Sequence, residues 1–101
     1  MIDLKPHFTP EVLSQIANDM PRVEQALFHA EQAGIDPEPR LIELVVGRAT
    51  YHWITGRLDS AREGFEKAIH MCEAVFGAEH PTTIITRARL DAIETEIAQC
   101  S

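Results

Sequence analysis

Apolar residues recur along this chain at three- and four-residue steps, the spacing of one face of an α-helix, and proline and glycine cut the pattern into segments. Thr9-Pro10-Glu11 is a start signal, a hydroxyl N-cap followed by proline at the first helical position, and predicts a short helix to about Asn18. Asn18-Asp19-Met20-Pro21 reads as a turn and a second start. Val23, Leu27, Ala30 and Ala33 then keep helical spacing up to Gly34, a C′ residue. Asp36-Pro37-Glu38-Pro39 opens a third helix, with its acids where the N-terminal dipole favours them. Leu41, Val45 and Ala49 make its inward stripe, and it ends before Gly56. A fourth, from about Leu58 to Phe76, has the cleanest stripe: Ala61, Phe65, Ala68, Ile69, Cys72 and Phe76, stopped by Gly77. His80-Pro81-Thr82 starts a fifth, carrying Ile85, Leu90, Ile93 and Ile97. No segment alternates with period two, and no Asn-Gly or Asp-Gly hairpin turn occurs. Five helices on short loops predict an all-α stack of antiparallel helices.

Length and charge narrow this further. At 101 residues there is room for one domain, 1–101. Nine Lys and Arg against sixteen Asp and Glu leave −7, which argues against nucleic acid, whose binding rests on clustered cations, and equally against an anionic membrane surface. No unbroken apolar run exceeds three residues, as in Leu44-Val45-Val46, so no span crosses a membrane, and the first residues lack the apolar core of a secretory signal. Cys72 and Cys100 are too few for a disulfide framework. They read as free thiols of the reducing cytoplasm, Cys72 a small core residue and Cys100 part of a fraying end.

The spacing also holds a repeat. Pro39 and Pro81 both open helices after an acidic turn and stand 42 residues apart. Val23, Leu27 and Ala30 fall on Ala61, Phe65 and Ala68 at an offset of 38. Units of this length are the period of helical-hairpin solenoids. Within them, Gly56-Arg57-Leu58-Asp59-Ser60-Ala61-Arg62-Glu63-Gly64-Phe65-Glu66-Lys67-Ala68-Ile69 resembles the tetratricopeptide repeat. Gly56, Ala61, Phe65 and Ala68 stand at that repeat's small, small, aromatic and small positions. Cys72 to Pro81, ending Gly77-Ala78-Glu79-His80-Pro81, is similar to the extended second helix and linker of kinesin-light-chain-type repeats. The resemblance implies a best repeat over 37–76, a degenerate helical pair over 9–34 and a capping helix over 81–99. Arg48 and His52 replace the leucine and tyrosine that the family prefers in the first helix of the repeat, where Val45 and Ala49 fit. Arg87 and Asp91 stand at apolar and small positions of the last helix, the polar outer face of a cap. That cap and Met1 favour a complete chain over a piece of a longer array.

Candidate chemistry is sparse. Of His7, His29, His52, His70 and His80, none stands four residues from another His or Cys on one helical face, so no metal site is expected. His80 belongs to the turn before Pro81, bonding a local carbonyl. Arg62 with Glu66 and Glu63 with Lys67 are i, i+4 pairs of a solvated face rather than an acid–base pair. No Gly-rich phosphate loop or G-x-S-x-G elbow occurs, and Cys72 lies in an apolar stripe rather than an electropositive surface. Neither catalysis nor a cofactor is expected.

The resemblance implies a concave groove lined by the first helix of each repeat, here at Glu43, Val46, Gly47, Thr50, Trp53 and Ile54. None of these is the Lys, Arg or Asn of a carboxylate clamp, so a chaperone-tail clamp is not expected. Trp53 and Ile54 are the anchors such a groove would use, with burial in the core as the other reading of Trp53, the only tryptophan. The expected function is a non-enzymatic module that binds another protein or peptide in that groove, with the acidic balance favouring a neutral or basic partner. The alternative is a homodimer formed through the same apolar surface, with Val46, Trp53 and Ile54 left over beside the core stripe.

Overall fold

The computed structural model describes residues 8–100, with Cys100 described in its backbone alone. They form four helices: α1 (Pro10–Ala33), α2 (Pro39–Ile54), α3 (Leu58–Val75) and α4 (Pro81–Cys100), with no strand among the described residues. The fold is all-α, with one helix fewer than the punctuation predicts. The connections, residues 34–38, 55–57 and 76–80, are short, so the chain reverses at each and every helix packs on the next in order. A thickness of 23 Å is two helix diameters, hence two layers.

The missing boundary is the turn read at Asn18–Pro21, since α1 runs through Pro21 without a break. A proline inside a helix forfeits a backbone hydrogen bond and crowds the preceding turn. The helix survives because one stripe, Ile16, Met20, Val23, Leu27 and Ala30, keeps its phase across the proline and faces α2, while Pro21 itself is exposed. The proposed helical pair over 9–34 is therefore a single helix. Its ends follow the local code: Val12 N–H bonds the Thr9 hydroxyl at 3.3 Å, and Gly34 adopts φ 65°. Ile35 N–H reaches back to the Ala30 carbonyl at 3.1 Å, closing a Schellman turn.

Two adjoining clusters make the core. One joins Leu27 of α1 to Ile42 and Val45 of α2 and to Ala68, Met71 and Cys72 of α3. The other joins Ala49 and Trp53 of α2 to Ala61 and Phe65 of α3 and Ile93 of α4. Val46 packs against both. Of the residues that carry the repeat-like pattern, Ala61, Phe65 and Ala68 are fully buried, as is Ala49 of α2, while Gly56 lies exposed in the turn with φ 84°. Gly64 is buried on the α2 side of α3, and a Cβ built there would lie 2.7 Å from the Ala49 Cβ.

The last helix is set by a seven-residue rhythm in which Thr83, Thr86, Leu90, Ile93 and Ile97 face inward. Ile85, expected on the inner stripe, is instead 50% exposed, and Ile84 beside it 54%. Threonine is tolerated inside because both hydroxyls are satisfied: Thr83 donates to the Gly77 carbonyl at 2.9 Å and Thr86 to the Thr82 carbonyl at 2.7 Å. The approach to α4 is stiffened by His80, whose ring stacks on Phe76 with centroids 4.6 Å apart. Its Nδ1 accepts the Thr82 N–H at 3.1 Å, so the ring caps the helix rather than bonding a carbonyl. Arg87 ties α4 to Glu73 of α3, and Lys67 of α3 pairs with Glu31 of α1 rather than with its helical neighbour Glu63. Lys67 lowers the Glu31 pKa, first through the hydrogen bond and then through its charge.

Gly64→Ala tests the helix contact. An exposed helical glycine gains up to about 1 kcal/mol on becoming alanine. Here the added methyl meets Ala49, so a net loss of about 1–3 kcal/mol is expected in urea unfolding, with Ala49→Gly restoring part of it in the double variant.

Candidate functional site

Only Leu27 and Ala30 of α1 are fully buried, while Ile16, Met20 and Val23 in the preceding turns are half-buried. The N-terminal part of α1 thus stands over α2 and α4 without closing on them, and a groove of about 530 Å³ lies between the three helices. Phe8, Ile16, Met20 and Val23 form one wall, Leu44, Gly47 and Thr50 the floor, and Arg89 of α4 the far side. Gly47 contributes no side chain, and a Cβ there would meet nothing within 4 Å, so the floor is open at its middle.

The groove holds four charges of two kinds. Asp19 and Glu43 are exposed at the rim, Asp19 accepting a long bond from Gln15 at 3.5 Å. Arg48 and Arg89 are half-buried, and no carboxylate of the described residues lies within ion-pair distance of either. The Arg89 Nε is fully buried and has no acceptor. A guanidinium cannot shed its proton, so an unpaired half-buried arginine retains a desolvation cost that an incoming acceptor relieves. The groove thus offers apolar contact and ion pairing.

The six residues implied by the repeat register divide. Glu43, Gly47 and Thr50 line the groove. Val46 does not, because its side chain is taken up between the two core clusters. Ile54 is half-buried at the end of α2, also outside it. Trp53 is 1% exposed, its ring edge-on to Phe65 at 6.1 Å and its indole N–H donated to Glu96 Oε1 at 3.4 Å. The tryptophan is core and no partner reaches it. The homodimer surface built on Val46, Trp53 and Ile54 loses its first two members in the same way.

What the sequence reading lacked was Arg48, Arg89 and the α1 wall. Arg48 stood in plain view as a departure from the repeat pattern. Arg89 and the wall carried no local signal, since both enter the groove only through the packing of α4 and the continuity of α1.

The other face of α2 carries His52, whose Nδ1 is buried without a hydrogen-bond partner. Its pKa is lowered from the ordinary 6.5, first by burial and then by Arg48 and Arg57, against a smaller opposing effect of Glu24. Burial pushes the Cys72 thiol up, marking it as an inert core thiol. Cys100's side chain and His7 lie outside the described residues. Among the described residues no three His, Cys, Asp or Glu side chains converge to hold a metal ion, and no helix is long and apolar enough to cross a membrane.

No family model, curated protein or solved structure matches the chain.

Two measurements check this geometry. Trp53→Ala should cost about 3–5 kcal/mol in denaturant unfolding, the cost of truncating a buried aromatic, whereas a surface anchor would cost little stability. His52, depressed when folded, takes its proton first in the unfolded chain, so stability is full above its unfolded pKa and declines as pH falls from there through the folded value. His52→Gln should therefore flatten the fall in melting temperature between roughly pH 7 and 5, relative to wild type.

Proposed function

We propose that this chain is a tetratricopeptide-like interaction module, without catalytic activity or cofactor, that binds a segment of a partner protein in the groove between α1, α2 and α4. One observation carries the reading: an apolar groove whose far side presents Arg89, a half-buried cation with its Nε unpartnered. In a solenoid of helical hairpins, α2 and α3 form one repeat and α4 the first helix of the next, so the groove is the concave face. The burial of Val45, Ala49, Ala61, Phe65 and Ala68 supports that arrangement.

The charge preference follows the groove rather than the whole chain. The rim acids are solvated and weigh little, while the half-buried arginines respond strongly to an acceptor. A segment with apolar residues at i and i+3 or i+4, to meet Met20, Val23 and Leu44, and a carboxylate to meet Arg89 fits better than a basic one. This replaces the preference for a neutral or basic partner drawn from net charge. The buried free thiol of Cys72 suits a reducing cytoplasm, where we place the protein.

The test is selection of a randomised sixteen-residue peptide library on the intact chain, followed by affinity measurements on the enriched peptides. Recovered peptides should combine apolar i, i+4 pairs with an acidic residue. Leu44→Glu and Arg89→Gln should each weaken them about tenfold or more at unchanged helical circular dichroism. No enrichment, or enriched peptides indifferent to both substitutions, overturns the reading.

A further inference from the structure

In a chain of net charge −7, cationic side chains gather on the edge where the C-terminal half of α2 meets the start of α3. A polar cleft of about 330 Å³ lies there, separate from the partner groove except that Arg48 borders both. Arg48 and His52 line it from α2, and Ser60, Glu63 and Lys67 from α3. Arg57 is close enough to act on the His52 ring electrostatically. We propose that this cleft binds a phosphate monoester group, held by the Arg48 guanidinium, the Lys67 ammonium, the Ser60 hydroxyl and the His52 imidazole.

Three features of the cleft point to a phosphate rather than to water or a simple counter-ion. Its donors are of different kinds, a planar fork, a point charge, a hydroxyl and an imidazole, which together suit the several acceptor oxygens of a tetrahedral dianion better than one carboxylate. Arg48 brings a guanidinium without an ion-pair partner among the described residues, and Lys67, held in place by Glu31, has three donors and so keeps N–H groups for a second acceptor. The cleft also reaches the first turn of α3 at Ser60, and the N-cap residue Arg57 makes no side-chain cap hydrogen bond, so the positive end of that helix lies at its edge. The volume exceeds that of the anion alone and leaves space for the group that carries it.

Glu63 opposes binding. It is exposed at the cleft, and Lys67, its i, i+4 neighbour, is engaged by Glu31 instead. This gives the site a signature that a packing role does not have. Removing the Glu63 charge should strengthen anion binding, and removing that of Arg48 should weaken it.

The experiment is a two-dimensional amide NMR titration of the full chain at constant ionic strength, with inorganic phosphate in one arm and N-acetyl-O-phosphoserine amide in the other. Saturable shifts are expected at Ser60 and Gly64. Binding should weaken about tenfold or more in Arg48→Gln and tighten several-fold in Glu63→Gln, both checked for fold by circular dichroism. In the bound state the His52 pKa should rise back toward its ordinary value, because a nearby dianion favours the imidazolium. Tighter binding of the phosphoserine derivative assigns the site to phosphorylated side chains, and tighter binding of the inorganic ion assigns it to free phosphate. Shifts that stay linear in both arms, shifts scattered over the surface, or equal binding by wild type and both variants overturn the proposal.

Discussion

The close approach of α2 and α3 at Ala49 and Gly64 is the contact on which the rest of this structure depends. With no side chain on Gly64 and a single methyl on Ala49, the two backbones come near enough for the large residues on either side to fill the space left over. Phe65 and Trp53 meet edge to face next to that point, and the small Ala61 and Ala68 flank Phe65 on the buried side of α3. A bulkier residue at either crossing position would push the helices apart and strand the aromatic pair in a cavity.

The outer helices attach to this hairpin by different means. α4 docks through Ile93 and its half-buried neighbours Leu90 and Ile97, and Arg87 adds an ion pair to Glu73 at its side. α1 docks only through its C-terminal half, where Leu27 joins the core and Glu31 meets Lys67. Partly exposed ion pairs of this sort contribute roughly 0–1 kcal/mol, so they orient the outer helices more than they hold them. Incomplete docking of α1 leaves a groove open, since the half that stays off the hairpin forms its wall. Arg48, at the middle of α2, borders that groove on one side and the polar cleft on the other, so both share one cation.

Local signals carried a good deal of this. The starts marked by Pro10, Pro39 and Pro81 and the stops marked by Gly34, Gly56 and Gly77 are where the chain turns, because capping and left-handed backbone are decided within a few residues. The α3 stripe was legible for a similar reason: Ala61, Phe65, Ala68 and Cys72 recur at helical spacing within one segment, and all four are fully buried. Pro21 misled because its cost is local and visible, while its compensation, a stripe that keeps its phase across the proline and docks on α2 beyond it, is neither. Ile85 misled because α4 is apolar on more than one face, and hydrophobicity alone does not say which face meets α3.

The amino-acid sequence by itself thus determined the all-helical class, most of the helix boundaries and the packing core of α2 and α3, since each rests on periodicity and capping within a single segment. Tertiary structure alone decided that α1 is continuous and that α4 turns its threonines inward. It also decided that Trp53 is spent on the core and that Arg89 faces the groove. Each of these depends on which faces of two or three helices meet, and that choice is made by the summed burial and hydrogen bonding of residues far apart in the chain.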